Sequence, residues 1–304
     1  MTTCSEGARE RGEPWVGTAP EATVWLAVEQ PGPWGRHALH HSHLPTDVAD
    51  ALAATETRAD ASGGVSVQLI RRPGAHPDRA ANRRRQVFVS CVAPGRRWLV
   101  GAELDDIHDL LSLDIGATVD DALQGQPPVW ATPVALPVAL VCTNGRRDRC
   151  CAVRGRVSSA DAAAQRPGQV WESSHLGGHR FAPVALVLPL GVVLGEAESS
   201  VVVDALDAAA GGRLVTDNMR GTTTGPPPAQ VAELALRNDL GLRNVDDVLG
   251  ATVEQLSTHR WLVHLSTVAG TYQVEVTRHT TEPRPESCGA GAVPAYRYTT
   301  HTLG

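Results

Sequence analysis

The segment Cys142-Thr-Asn-Gly-Arg-Arg-Asp-Arg-Cys150-Cys151 gathers three cysteines, and His175-Leu-Gly-Gly-His179 follows downstream. Thiolates are soft ligands, and imidazoles can replace two of them on one iron of an iron–sulfur cluster. Cysteines at the end of a strand and the start of a helix can converge on one point. The two glycines remove side chains between the histidines, so both imidazoles can turn inward. The pattern points to a [2Fe–2S] cluster held by two cysteines from 142–151 together with His175 and His179. Neighbours on a helix project about 100° apart. One of Cys150 and Cys151 therefore faces the cluster, and the other is a small buried hydrophobe.

The elements that must position these residues can be read coarsely. In the first part of the chain Thr23–Glu29, Val65–Ile70, Arg85–Val92 and Arg97–Glu103 read as strands. Pro45–Arg58, with Thr46 as its cap, reads as a helix, as do Asp105–Leu113 and Thr118–Leu123. The proline-rich stretch Gly125–Pro133 marks a boundary. It divides an N-terminal α/β unit, residues 1–130, from residues 131–304. In the second part Val138–Cys142 is a short apolar strand and Asp148–Ala164 a helix. Gln169–Trp171 is extended, Val184–Leu188 and Val192–Leu194 form a hairpin, and Glu198–Ala210 is an amphipathic helix. Strand–helix–strand–strand–strand–helix belongs to small α/β sandwiches. Pro226–Leu240 adds a helix, and Arg260–Ser266, Thr271–Thr277 and Ala295–Leu303 read as closing strands. No repeat of fixed period is visible.

Composition removes several classes of function. The 304 residues carry a net charge of −6, and the basic run Arg83-Arg84-Arg85, with Arg71 and Arg72 nearby, is too short for a nucleic-acid face. All 27 basic residues are arginine, so Schiff-base chemistry on lysine is excluded. No apolar run is long enough to span a membrane, and Met1–Pro14 has no signal-peptide core. A cytoplasmic location is expected. Six cysteines are too few for a secreted disulfide scaffold and suit metal or redox chemistry instead.

The string Val141-Cys142…Cys150-Cys151-Ala152, followed by His175-Leu-Gly-Gly-His179-Arg-Phe-Ala-Pro, resembles the sucrase/ferredoxin-like family. Gly17-Thr-Ala-Pro20, Trp25-Leu26, Glu29-Gln-Pro-Gly-Pro-Trp-Gly35 and Gln68-Leu-Ile-Arg71 are similar to its N-terminal blocks. Arg220-Gly221, Gln230, Glu233 and Cys288-Gly289 are similar to its C-terminal ones. The resemblance implies a thioredoxin-like ferredoxin domain, a mixed sheet with flanking helices, in residues 131–304. An N-terminal α/β unit precedes it and a strand-rich extension closes the chain. It also implies a bis-histidinyl [2Fe–2S] cluster. The family's second cysteine lies nine positions after its first, which selects Cys142 and Cys151, with Cys150 in reserve; the histidine ligands fall on His175 and His179. Ala152 stands where the family often has glycine.

Each thiolate replaced by a neutral imidazole removes one negative charge. At about 4 Å and an effective dielectric of about 20 this is worth about 4 kcal/mol, on the order of 0.2 V for one electron. The expected function is thus electron transfer at a potential above that of an all-cysteine cluster, coupled to protons through the free imidazole nitrogens. A redox partner such as a flavin reductase is expected, with the chain a monomer or homodimer. A carrier is favoured over a catalyst with its own substrate. Rival readings are a Cys2His2 zinc site, a vicinal Cys150–Cys151 disulfide, and the sugar hydrolysis of the family name. Hydrolysis would need paired carboxylates, for which Asp105-Asp106 and Asp120-Asp121 are the candidates. His37, His40, His41 and His43 read as a solvated loop. His76, His108, His259, His264, His279 and His301 read as isolated surface or strand residues. Cys4 and Cys91 read as bystanders and Cys288 as part of a turn. Arg146, Arg147, Asp148 and Arg180 flank the ligands, for ordinary ion pairs or for tuning and docking.

Overall fold

The computed structural model describes residues 3–60, 63–74 and 84–303. Arg83 and His76 lie outside them. In chain order the first half holds α1 (Cys4–Glu10), β1 (Val24–Glu29), α2 (Thr46–Thr55), β2 (Ala59–Asp60), β3 (Gly63–Arg71), β4 (Arg85–Cys91), β5 (Trp98–Leu104), α3 (Asp109–Ser112), α4 (Ile115–Leu123) and β6 (Thr132–Pro133). The second holds β7 (Val138–Cys142), α5 (Arg156–Gln165), β8 (Val170–Ser173), β9 (Ala185–Leu188), β10 (Val192–Leu194), α6 (Ser199–Ala210), β11 (Met219–Thr222) and α7 (Pro227–Leu240). Strands β12 (Val248–Ser257), β13 (Arg260–Thr267), β14 (Gly270–Pro285) and β15 (Ala292–Thr302) form a separate antiparallel meander.

One mixed sheet runs through both halves in the order β11-β10-β9-β7-β8-β3-β1-β4-β5-β6. Within each half the first two long strands are parallel, as a helical crossover requires, and the next two are antiparallel. Each half therefore repeats strand–helix–strand–strand–strand–helix–strand, and the two copies meet where β3 pairs antiparallel with β8. This is the mixed sheet with flanking helices expected for residues 131–304, and the first half has the same architecture. No fixed sequence period betrays the repetition, because topology constrains burial pattern and not residue identity.

Strand alternation explains the two layers. Val24, Leu26 and Val28 of β1 pack under α2 and α4, whereas Trp25 and Ala27 face the other way. On β7, Ala139 and Val141 lie with α5 and α6, and Val138, Leu140 and Cys142 face the opposite side. That opposite face is a single core built from both halves, with Phe88 and Trp171 edge to face at 5.5 Å. Helix α7 begins at Pro227 and stops at Gly241, whose φ of 69° suits a C-cap glycine. It buries Val231, Ala232 and Leu236 against the meander.

The strands and helices expected from sequence recur with shifts of a few residues, and five places differ. Thr46 is the first residue of α2 and makes no cap bond; Pro45 occupies the cap position. Of Asp105–Leu113 only Asp109–Ser112 is helical, because Asp106 folds its carboxylate onto the amide and ring of His108. The helix expected from Asp148 starts later, with a π-helical turn at Cys151–Gly155 before α5. Strand β12 has no clear apolar alternation because most of its residues are exposed. Strand β14 extends well past Thr277, to Pro285, and forms a long ribbon with β15.

The seam between halves holds a buried ion pair. The Arg71 guanidinium donates to Glu172 from Nε at 2.7 Å and lies 2.5 Å away through Nη2. Glu172 also accepts from Thr143 Oγ1 at 2.9 Å, next to Cys142. Removing one partner strands a buried charge. Glu172→Ala is expected to lower unfolding stability by about 3–5 kcal/mol, read as a lower denaturation midpoint.

Candidate metal centre

Cys142 ends β7 and points into the shared core, where it is fully buried. Cys151 opens the π-helical turn that follows the loop 143–150 and is equally buried. The turn approaches β7 so closely that a Cβ on Gly155 would overlap the Cys142 carbonyl oxygen. His175 comes from the loop after β8. The two sulfurs and a His175 ring nitrogen all lie within 4.8 Å of one another, and Cys142 Sγ is 4.0 Å from His175 Nδ1. Leu176, Val184, Leu186 and Trp171 wall this trio with apolar surface.

Gly177 and Gly178 both take positive φ, 76° and 67°, which turns the chain sharply between the histidines. His179 then begins a short 3-10 turn, with its ring centroid 5.2 Å from that of His175. It lies outside the compact trio, and both of its ring nitrogens are buried without a hydrogen bond. Its Nε2 is 3.6 Å from Asp148 Oδ2. Burial pushes the His179 pKa down, partly offset by Asp148. Buried polar atoms normally have partners, so these two nitrogens, beside two thiols and a third donor, suit a bound metal group.

The thiols are electrostatically distinct. The Cys151 thiol donates to Cys142 and, with His175, pulls the Cys142 pKa well below the ordinary thiol value. The same contact and burial push Cys151 up. Beneath the histidine loop lies the Arg220 guanidinium, 1% exposed. It donates to Thr18 Oγ1 at 3.0 Å, to Gly177 O at 3.1 Å and to the Thr18 carbonyl, and it stacks over Phe181. Burial lowers its pKa to about 9.

Cys150 faces away from Cys151. Its sulfur is 3.4 Å from Cys4 Sγ and 3.4 Å from Cys288 Sγ. Asp148 joins them, and the four residues form a second group whose donor atoms lie within 4.8 Å. Hydrogen bonding from Cys4 lowers the Cys150 pKa to about 5. Cys4 and Cys288 are thus neither a bystander nor a simple turn residue. They are 284 positions apart, so no local spacing announces them. A weak signal for α1 existed in Thr3-Cys-Ser-Glu6, a capping box in which Glu6 accepts from the Thr3 amide at 2.8 Å. Cys91 is buried in β4 and belongs to neither group.

The family model described as sucrase/ferredoxin-like matches residues 15–221, more than half of the 304. The chain belongs to the sucrase/ferredoxin-like family. No curated protein and no solved structure matches it. The sucrase/ferredoxin-like region contains Cys142, Cys150, Cys151, His175 and His179, and it ends before α7 and the meander. Cys4 and Cys288 lie outside it.

The remaining candidates lie apart from these groups. His37, His40, His41 and His43 are largely exposed in the loop after β1. Asp105 pairs with Arg84 and Asp120 with Arg58 on the surface. Arg180 binds Glu13 at 2.9 Å and Glu286 at 3.3 Å, tying both chain ends to the histidine loop. The Arg146 and Arg147 amides close a turn on Asn144. Among the described residues no helix is long and apolar enough to cross a membrane.

Proposed function

We propose that this chain is an electron carrier that holds a [2Fe–2S] cluster through Cys142, Cys151, His175 and His179. The observation that carries the proposal is the buried trio of Cys142, Cys151 and His175, with the His179 imidazole beside it, whose ring nitrogens make no hydrogen bond. A single zinc ion would draw four donors to one point. A fourth donor standing outside the compact trio suits a group with two metals better. The cluster would supply a one-electron couple.

The chain's own groups set the conditions. Cys142 and Cys151 provide thiolates, and the apolar wall keeps water from them. The buried Arg220 guanidinium offsets part of their negative charge. Each histidine that binds through one nitrogen keeps the other for a proton, and Asp148, 3.6 Å from His179 Nε2, favours a proton there. Reduction adds negative charge and raises the affinity of the imidazoles for protons, so the midpoint potential falls as pH rises. The expected slope is up to about 59 mV per pH unit for each coupled proton. A potential that stays flat between about pH 6 and 10 would remove proton coupling from the proposal.

The direct test is anaerobic purification with an absorption spectrum and iron and sulfide analysis. Visible absorption with about two irons and two sulfides per chain is expected. A colourless protein with zinc at Cys142 would overturn the proposal. The partner is proposed to be a redox protein such as a flavin reductase, in the cytoplasm, with this chain a monomer or homodimer.

A further inference from the structure

We propose that Cys4, Cys150, Cys288 and Asp148 form a second metal site that binds one zinc ion, separate from the Cys142 group. Tetrahedral zinc with bonds of about 2.3 Å to sulfur and about 2.0 Å to oxygen sets sulfur–sulfur edges near 3.8 Å and sulfur–oxygen edges near 3.5 Å. The three sulfurs stand 3.4, 3.4 and 3.6 Å apart. Asp148 oxygens lie 3.7 and 3.8 Å from Cys4 Sγ. These spacings are close to four of the six edges of one tetrahedron, and all four donor atoms lie within 4.8 Å of one another.

The surroundings are built to hold that shape. The Asp148 carboxylate accepts the Cys150 amide through Oδ1 and the Cys288 amide through Oδ2, each at 2.8 Å. It is 4% exposed, and Cys150 is 2% exposed. The Cys4 amide points to Cys288 Sγ at 3.5 Å. Four donors from three remote segments, the start of α1, the ligand loop and the tip of the β14–β15 ribbon, meet within 4.8 Å of one another. Thiolates and carboxylates are both zinc ligands, and four protein donors leave no open position, as a structural site requires. Binding releases the thiol protons to solvent and involves no redox step.

Two of the donors lie outside the family-matched residues 15–221. The site therefore joins residues on both sides of the matched region to the loop within it. Its effect would be to clamp both ends over the loop that carries Cys151 and beside His179, where Arg180 already pairs with Glu13 and Glu286.

The test is metal analysis of the full-length protein purified without added metal, then incubated with one equivalent of zinc sulfate and desalted. About one zinc per chain is expected. Cys4→Ser and Cys288→Ser, both at partly exposed positions, should each lose the zinc while iron and sulfide stay at the wild-type level. Cys91→Ser should keep it. Limited proteolysis should cut residues 4–12 and 286–291 faster in the two zinc-free variants than in the wild type. Zinc that survives Cys4→Ser but is lost in Cys142→Ser would place the metal in the first group, overturning this site and the iron–sulfur proposal together. Iron in place of zinc, or a Cys4–Cys288 disulfide found by mass spectrometry of the alkylated chain, would overturn this site alone. No retained zinc would do the same.

Discussion

Cys151→Ser and Cys142→Ser are expected to abolish visible absorption and bring iron from about two per chain to near none, whereas Cys150→Ser keeps both. Adjacent helical residues diverge by about 100°, and here the divergence separates two groups. Cys151 turns to Cys142 and His175 inside the apolar core. Cys150 turns outward to Cys4 and Cys288. Serine at either inner position removes a soft donor that no neighbour can replace, because Cys150 would have to rotate through the backbone of the π-helical turn. A His175→Cys variant should retain colour and shift the midpoint potential down by about 0.2 V, since a thiolate adds one negative charge where an imidazole adds none. Iron loss in Cys150→Ser with retention in Cys151→Ser would reverse the assignment.

Gly178→Ala should have the second large effect, and Gly177→Ala a small one. Both glycines take positive φ, which costs an L-residue about 1–2 kcal/mol. Only at Gly178 would the new Cβ overlap a guanidinium, that of Arg220; around Gly177 there is open space. Arg220 cannot withdraw. It is fixed by Thr18 and the Gly177 carbonyl and lies over Phe181. Overpacking of this kind adds about 1–3 kcal/mol. Gly178→Ala is expected to cost about 2–5 kcal/mol in total and Gly177→Ala about 1–2. Denaturation midpoints measure the difference, and iron content should fall in Gly178→Ala because His179 is displaced. Equal losses at the two positions would mean that Arg220 does not brace the loop.

Much of the candidate site was legible because its residues are local. Cys142 and Cys151 bracket one loop, His175 and His179 bracket two glycines, and short spacing needs no knowledge of the fold. The order of strands and helices in residues 138–210 was likewise readable from apolar runs and turn residues. The ribbon beyond Thr277 was not, since Pro283, Pro285 and several exposed polar residues hide a strand that β15 pairing holds together.

The sequence by itself determined which thiols and imidazoles make up the candidate site and the α/β class, both of which follow from residue chemistry and short-range periodicity. Tertiary structure decided three other matters. It assigned Cys150 and Cys151 to opposite groups, because the direction of a side chain depends on a helical turn whose π register no pattern encodes. It revealed two halves of one topology joined at β3 and β8, because strand order follows from sheet packing and leaves no fixed period. It brought Cys4 and Cys288 together across 284 positions, because the helix at one end and the ribbon at the other converge only when both pack on the same loop.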